Sequence, residues 1–371
     1  MSVEVGRTRI ELEHSRAEGA YVGRTRLYPD GRDGSDSWRG ILWRLGLGYF
    51  TCGWGVVWCD GAVRNLVCFL CVAVCLAVSR AEGVRVYFVG NSVTDTVRYG
   101  GLAKLAESRG IRMTWGRQMI PGAPLEWLYG HPEEGFTEEP FGGWKKALNE
   151  FAWDHVVLQP FDRQLQGKNE KGEEVGDVAL IVMMAKLAAA RNPEVQVFIY
   201  ARWPRVAVGG KGIAFDKNDY DPGKPGSGND LSKVDDFEER WNGRFTGGWD
   251  ATNETRDYFE RLLVEARKQT PGLRKPLRIV PVGHVMAEMH REMRAGRVAG
   301  WTSIYQFYKD GIHLNEPGSY LVGCTFFATL FNESPVGLAS EPYGKIAPEL
   351  ARKIQEVAWK VVGENPAGVK E

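Results

Sequence analysis

The sequence predicts an α/β protein built on a five-stranded parallel sheet with helices on both faces. From residue 84 onwards, short apolar runs alternate with longer segments of helical spacing. The short runs are apolar at nearly every position, as burial on both faces of a parallel sheet requires. Parallel strands also need crossover connections, and the intervening helices supply them.

The individual elements follow in order along the chain. The runs expected as strands are 84–89, 111–115, 155–159, 195–201 and 277–282. The segments with helical spacing are 98–109, 142–151, 175–191, 254–268, 285–294 and 318–331.

Two insertions interrupt this alternation. A small one, 131–141, follows the second strand, and a long one, 203–253, follows the fourth strand and carries Trp241 and Trp249. The long insertion is rich in Gly, Asp and Lys. An excursion of that length either shapes a substrate site or is a plain surface loop, and the sequence leaves both open.

Composition sets outer bounds on function. The 371 residues are 43% hydrophobic and 25% charged, which is an ordinary globular balance. Lys plus Arg and Asp plus Glu both number 47, so the net charge of zero gives no sign of a nucleic-acid partner. The 13 Trp residues are many for this length. Flat Trp faces in loops can stack on sugars, although packing in the core is the commoner use.

Residues 63–81 have the pattern of a secretory signal. Arg64 supplies positive charge, 66–78 is an unbroken apolar run, and 79–81 offers small residues for cleavage. The run is too short to span a bilayer comfortably. We therefore expect a secreted or periplasmic protein. A buried helix is one alternative, and an uncleaved signal that anchors the protein to a membrane is the other.

This pattern divides the chain into three parts. Residues 82–371 are expected to form one domain after cleavage. Residues 1–62 lack a clear element pattern, and we expect them to be a non-native or disordered leader. Five of the six cysteines precede residue 82 and leave Cys324 alone, so the main domain has no disulfide framework or metal knuckle.

Ser92 lies on a predicted strand-to-helix turn. Gly90-Asn91 breaks the strand pattern of 84–89, and helical spacing begins at residue 98. Ligands of open α/β sheets bind at the carboxyl ends of the strands, close to helix N-terminal amides. Ser92 is therefore a candidate reactive hydroxyl. The alternative is a helix N-cap, for which Ser is a preferred residue.

Asp310 and His313 form the second candidate pair. An Asp three residues before a His can turn back so that its carboxylate meets one ring nitrogen and leaves the other nitrogen free as a base. A neutral serine needs such a base to become a nucleophile. The alternative is a capping Asp beside a surface His.

Taken together, the two stretches resemble a known family. Gly-Asn-Ser-Val-Thr-Asp at 90–95 and Asp-Gly-Ile-His at 310–313 resemble the first and last blocks of the SGNH (GDSL-type) hydrolases. Segments 156–159, 200–203 and 318–327 are similar to an uncharacterised branch of that superfamily, which has Asn before the Ser. The resemblance spreads over about 84–338. It implies a three-layer α/β/α flavodoxin-like fold and ester hydrolysis through an acyl-serine.

The resemblance also implies site residues. Ser92 would be the nucleophile, His313 the base and Asp310 its orienting partner. The amides of Ser92 and Gly122 would face the developing oxyanion, although Gly122 could equally be a simple turn residue.

The third block departs from the family pattern. The family has Gly-x-Asn-Asp where this chain has Gln159-Pro160-Phe161-Asp162. Gln159 could donate in place of the missing Asn, or it could be a satisfied amide at a strand end. We assign Asn91, Arg202 and Trp203 to substrate binding. Structural ion pairing is the alternative for Arg202.

The sequence therefore predicts an exported serine hydrolase that acts on an ester, foremost an O-acetyl group on a carbohydrate. The partner would be a small-molecule or polysaccharide ester, with no nucleic acid and no stable membrane span after signal cleavage. The alternatives are a lipase or thioesterase, a sulfate-ester hydrolase with Arg202 and Gln159 on the sulfate, and a catalytically silent carbohydrate-binding protein. No metal site is predicted, because the His residues are scattered and the acidic residues lack calcium-loop spacing. No cofactor is predicted, because phosphate-loop motifs are missing.

Overall fold

The computed structural model describes residues 83–161, 164–212, 231–247 and 254–364, and the backbone of three strands near the N-terminus. The chain divides into two compact units, 1–70 and 71–371. In the first unit, β1 (Ser2–Val5), β2 (Thr8–Ala17) and β3 (Ala20–Leu27) pair as an antiparallel sheet, although the sequence shows no clear element pattern there. The predicted signal at 63–81 and the five early cysteines lie outside the described residues.

A six-stranded sheet forms the centre of the second unit. Its strands are β4 (Val84–Gly90), β5 (Met113–Met119), β6 (Phe136–Thr137), β7 (His155–Leu158), β8 (Gln196–Tyr200) and β11 (Arg278–Val280). They stand in the order β11-β8-β7-β4-β5-β6. The five predicted strands all form and pair in parallel. The arrangement fits a flavodoxin-like fold.

The sixth strand corrects the predicted strand count and makes the sheet mixed. β6 lies in the small insertion and pairs antiparallel with the end of β5, where Gln118 faces Thr137. The Gln118 amide also donates to the carbonyls of His131 and Glu134, each at 2.8 Å, so one side chain holds the returning loop. A strand of two residues is too short to produce a recognisable alternation of apolar residues.

The helices of the second unit are α1 (Tyr99–Glu107), α2 (Leu125–Gly130), α3 (Trp144–Glu150), α4 (Asp177–Arg191), α5 (Phe237–Trp241), α6 (Arg256–Lys268), α7 (Val282–Arg294), α8 (Glu316–Phe331) and α9 (Pro348–Gly363). The six predicted helices are confirmed, while α2, α5 and α9 were not predicted. One group of contacting helices is α3, α4 and α6, and a second is α1, α7, α8 and α9. Single-turn 3₁₀ helices lie at Thr94–Val97, Leu231–Lys233, Ile304–Phe307 and Glu341–Tyr343.

The described part of the long insertion packs into the core. It contains the short hairpin of β9 (Ala207–Val208) and β10 (Lys211–Gly212) and the helix α5. Phe237, Trp241 and Phe245 are buried, and the Trp241 ring lies so close to Gly283 of α7 that a Cβ there would collide with it. Trp241 is therefore a core residue, while Trp249 lies outside the described residues.

Among the described residues, no helix combines the length and the apolar character needed to cross a bilayer. No group of three or more His, Cys, Asp or Glu among them is arranged to hold a metal ion.

Candidate active site

The Ser92 turn begins where the central strand β4 ends. Backbone hydrogen bonds to the neighbouring chain segments continue at the end of β4 on both sides. The Gln159 amide donates to the Val89 carbonyl at 2.9 Å, and the Ile120 amide donates to the Gly90 carbonyl at 3.2 Å. The segments that follow β5 and β7 therefore flank the turn that carries Ser92.

Asn91 supports the Ser92 turn from inside the protein. Its side-chain oxygen accepts from the Val93 amide at 3.0 Å, and its nitrogen donates to the Ala123 carbonyl at 3.0 Å. The residue is fully buried. This corrects the substrate-binding role predicted for Asn91, because its side chain has no exposed surface and instead joins the turn to the segment after β5.

Gln159 lies beneath the same turn. Its Oε1 accepts from the Asn91 amide at 3.0 Å and from the Thr94 hydroxyl at 2.6 Å. A backbone amide can only donate, so this bond fixes which end of the Gln159 side chain faces the turn. The Nε2 group makes a long 3.4 Å bond to the Pro160 carbonyl, and the residue is fully buried. The predicted oxyanion role of Gln159 is corrected: the side chain acts as an acceptor that clamps the turn. Gly90 is required beside it, because a Cβ there would collide with both Thr94 and Gln159.

Ser92 does not cap a helix. The 3₁₀ helix Thr94–Val97 follows it with Val93 at the N-cap position, and no side chain caps that helix. The chain then passes through Arg98, a non-glycine residue at φ 48°, before α1 begins. The Ser92 hydroxyl is therefore not used to stabilise a helix end, which was the alternative reading of this serine.

The loop that carries His313 is shaped by Asp310. One carboxylate oxygen, Oδ1, accepts from the Ile312 amide at 2.9 Å and from the His313 amide at 2.8 Å. The Lys309 amide closes the loop by donating to the His313 carbonyl at 2.7 Å. The N-cap of α8 is Asn315, whose side chain accepts from the backbone, so Asp310 is not the helix cap.

Trp203 anchors the His313 loop to the segment that follows β8. Its Nε1 donates to the Ile312 carbonyl at 2.8 Å, and the nearby Val206 amide donates to the Gly311 carbonyl at 2.8 Å. Trp203 is fully buried. The substrate-binding role predicted for Trp203 is therefore corrected, since the ring has no exposed face and its polar edge positions the loop.

Three side chains from these two loops meet. His313 Nε2 lies 2.9 Å from Ser92 Oγ, and His313 Nδ1 lies 2.8 Å from Asp310 Oδ2. A carboxylate can only accept, so the Nδ1 position carries the hydrogen and Nε2 is left to accept from the serine hydroxyl. The His313 side chain is 39% exposed, so the arrangement is open to solvent and to a ligand.

Asp310 remains ionised in this site. Burial of its carboxyl group would by itself raise the pKa, but hydrogen bonds outweigh that effect. The His313 side chain and the amides of His313 and Ile312 donate to the carboxylate and hold the pKa of Asp310 well below its usual range. The carboxylate is therefore available to orient an imidazole and to stabilise its protonated form.

Gly122 lies in the turn after β5, at φ 69°. The Asn91–Ala123 bond holds this turn beside the Ser92 turn. Within the described part of the chain, neither the Ser92 amide nor the Gly122 amide donates to a protein acceptor. Both amides are thus available as donors, one in each of the two adjoining turns, although Gly122 also suits its turn through its positive φ.

Arg202 follows β8 but does not reach the surface. It is fully buried and its Nη2 lies 3.2 Å from Glu254 Oε1, itself a fully buried carboxylate. Arg205 and Arg240 also pair with Glu254, and the Arg202 guanidinium lies 4.6 Å from the centre of the Phe161 ring. The substrate-binding role predicted for Arg202 is corrected, and the alternative of structural ion pairing describes it better.

The sequence pattern indicates no separate role for Thr94. Its hydroxyl donates to the side-chain oxygen Oε1 of Gln159, which lies 65 positions further along the chain. Thr94 was visible within the Gly-Asn-Ser-Val-Thr-Asp segment, but nothing in the spacing of either residue indicates this pairing.

Comparisons with known proteins add distant likenesses. No protein-family model and no curated protein matches the chain. Among solved structures, a DUF4886 family protein from Bacteroides uniformis is 17% identical, covering 78% of this chain and 98% of that one with a TM-score of 0.47. A protein from Chitinophaga pinensis described as a possible lipase is 11% identical. The match covers 67% of this chain and 98% of that one, with a TM-score of 0.36. A lipopolysaccharide acetyltransferase periplasmic domain from Salmonella ser. Paratyphi A is 11% identical. The match covers 68% of this chain and 83% of that one, with a TM-score of 0.35. At these values the likenesses assign no activity to the chain.

Proposed function

We propose that this protein is a serine hydrolase that cleaves an ester, with Ser92 as nucleophile, His313 as general base and Asp310 as its orienting partner. The observation that carries the proposal is the hydrogen-bonded chain from Ser92 Oγ through the His313 ring to the Asp310 carboxylate. Each member has the state the chemistry needs: a hydroxyl that can donate, a free ring nitrogen that can accept, and a carboxylate kept ionised.

The acylation step uses this chain in one direction. His313 Nε2 takes the Ser92 hydroxyl proton as the serine oxygen bonds to the ester carbonyl carbon. The amides of Ser92 and Gly122 donate to the resulting oxyanion. The bond between carbon and the alcohol oxygen then breaks, and the protonated His313 gives its proton to that oxygen, so that the alcohol leaves and an acyl-serine remains.

Deacylation reverses the roles. His313 Nε2 takes a proton from water, whose oxygen bonds to the acyl carbon. The bond to Ser92 breaks and the serine recovers its proton, which releases the carboxylic acid. Asp310 remains ionised in both steps, since its part is to orient the imidazole and to stabilise its positive charge.

We further propose that the ester is an O-acetyl group on a carbohydrate. The large apolar side chains that are exposed in the described ranges are few and come from different parts of the chain: Trp127, Phe136, Val208, Val264, Val336 and Trp359. A broad apolar surface suited to a lipid tail does not appear among them. The half-exposed Trp127 is instead suited to stacking on a sugar.

The sulfate-ester alternative loses its support. It required Arg202 and Gln159 to face the sulfate, and both side chains are fully buried and bonded within the protein. A catalytically silent carbohydrate-binding protein would retain the fold without reacting at Ser92, so that alternative is separated by reactivity.

The decisive experiment uses a fluorophosphonate probe, which labels an activated serine covalently. The wild type should be labelled, Ser92→Ala should not, and His313→Ala should be labelled far more slowly. Ser108→Ala is the matched control, because Ser108 is exposed and its hydroxyl donates to the Leu105 carbonyl, away from His313. Acetate release from acetylated polysaccharides then tests the acyl group. Equal labelling of wild type and Ser92→Ala would overturn the proposal.

We also propose export through the signal at 63–81. The positive residue, the apolar run and the small residues that follow it support this proposal. N-terminal sequencing of the protein recovered from the culture medium or periplasm should begin at residue 82. Recovery of the protein only from the cytoplasm would contradict it.

A further inference from the structure

A cleft lies between segments of the connections that follow β5 and β7. This cleft has a volume of about 770 Å³, within the range of small-molecule sites. Its aromatic residues are Trp127, Tyr129 and Trp144, and Asn169 and Val175 also line it. No residue proposed for catalysis lines it.

The topology places the cleft at the same edge of the sheet as Ser92. One wall, 126–132, belongs to the connection that leaves the carboxyl end of β5, and the other, 169–175, to the connection that leaves β7. These two strands flank β4, whose carboxyl end carries Ser92. The Gly122 turn and the first wall are parts of one continuous segment, and the Asn91–Ala123 bond ties that segment to the Ser92 turn.

Trp127 forms a fixed platform in this cleft. It is 50% exposed, and its ring stacks on His131 with centroids 4.1 Å apart and planes at 17°. The His131 Nδ1 lies 2.8 Å from the Trp127 carbonyl, which holds the stack within one helical turn. The Gln118 amide holds the His131 carbonyl at 2.8 Å, so the pair is anchored to the sheet. An indole ring held in this way loses little conformational entropy when a ligand covers its other face.

The charges around the cleft balance. Two acidic residues, Glu126 and Glu173, and two basic residues, Lys145 and Lys171, line it. A ligand of strong charge would meet as much repulsion as attraction there. An uncharged ligand with many hydroxyl groups can instead hydrogen-bond to both kinds of side chain while an apolar ring face covers Trp127.

We propose that this cleft binds a neutral glycan chain, with one pyranose ring stacked on Trp127. The proposal of glycan binding depends only on the shape, the aromatic residues and the charges of the cleft. The further step, that the bound chain carries the acyl ester to Ser92, rests on the proposed function. The cleft then determines which polymer is deacylated, while the Ser92 site performs the chemistry.

The binding experiment uses the full chain with Ser92→Ala, so that hydrolysis does not remove the ligand. The probe is an array of neutral and acidic glycans of one to eight residues. Neutral chains of three or more residues should be retained, and Trp127→Ala in the same background should weaken their binding at least tenfold. Trp127→Phe should keep part of the affinity, because it keeps an aromatic face. Trp359→Ala is the matched control, since Trp359 is an exposed Trp on α9 and should leave binding unchanged. Failure to retain any neutral glycan, or equal binding after Trp127→Ala, would overturn the proposal.

A kinetic experiment separates this proposal from the proposed function. For the glycan retained on the array, its acetylated form and p-nitrophenyl acetate are compared as substrates of the wild type and of Trp127→Ala. The ratio of kcat/KM for the glycan to kcat/KM for the small ester should fall about tenfold, mainly through KM. Glycan binding without hydrolysis of either ester would contradict the proposed hydrolase function but support the glycan-binding proposal. Hydrolysis with an unchanged ratio of the two kcat/KM values would contradict the glycan-binding proposal but support the proposed hydrolase function.

Discussion

Ser92 follows β4 and Arg202 follows β8 at the same edge of the sheet, with β7 between the two strands, yet their surroundings differ completely. Ser92 is partly exposed and its hydroxyl meets a His313 ring that is 39% exposed. Arg202 is enclosed with Glu254, and both side chains are fully buried. A polar residue after an apolar strand indicates a site in both cases. Whether it can reach a ligand depends on the segments that cover it, which is why Ser92 is accessible and Arg202 is not.

The largest expected effect is on catalysis at Ser92. Ser92→Ala should lower kcat/KM for p-nitrophenyl acetate by on the order of 10⁴–10⁶-fold, because the nucleophile is lost. Thermal unfolding should shift little, since the Ser92 hydroxyl supports no helix cap and its one bond is to His313. If Ser92→Ala keeps a tenth of the wild-type kcat/KM, Ser92 is not the nucleophile and the contrast with Arg202 no longer holds.

The next effect is on stability at the buried cluster. Glu254→Gln should lower the free energy of unfolding by about 3–5 kcal/mol, because it leaves buried guanidinium groups without their carboxylate. The measurement is urea denaturation followed by circular dichroism. The control is Glu194→Gln, which removes an ion pair to Arg274 whose side chains are 67% and 54% exposed and should change stability very little. Equal effects of the two variants would contradict the structural role of the cluster.

A smaller effect on rate distinguishes a clamp from an oxyanion donor at Gln159. Gln159→Glu keeps an acceptor for the Asn91 amide and the Thr94 hydroxyl but removes the amide donor, whereas Gln159→Leu removes both. If Gln159 is a clamp, Gln159→Glu should retain kcat within about threefold, while Gln159→Leu should lose about 10–100-fold. Equal losses of about 100-fold in both variants would restore the donor role that the sequence predicted.

The smallest effect is a pH dependence of stability at Asp310. Its pKa in the folded state lies below its usual range, so ionised Asp310 stabilises the fold above about pH 4, and this contribution is lost as the pH falls further. The gap in unfolding free energy between wild type and Asp310→Asn should therefore be about 1 kcal/mol near pH 6, allowing for solvent screening. It should narrow below about pH 4 and close only as the pH falls through the depressed pKa of the folded state. Chemical denaturation at several pH values measures it. A gap that widens in acid would mean that the sign is wrong.

The sequence predicted the elements that bury whole apolar runs. β4, β7 and β8 are buried along nearly their full length, and this shows directly as apolar sequence. The two-residue strand β6 and the helix α5 were missed, because neither is long enough to show a period. Ser92, Asp310 and His313 were found through local motifs, and the structure brings their side chains together. Their catalytic role remains the proposal that the predicted experiments test.

By itself, the sequence determined the order of the five parallel strands and of six helices along residues 84–331, and it placed a hydroxyl and an imidazole at two of the connections. It could do so because the period of apolar residues and the turn residues that interrupt it are local properties of the chain. Only the tertiary structure decided the roles of Asn91, Gln159, Arg202 and Trp203, which are all enclosed, and of Trp127, which is exposed. Exposure and hydrogen-bond partners depend on segments far apart in sequence, and no local pattern records which of them will meet.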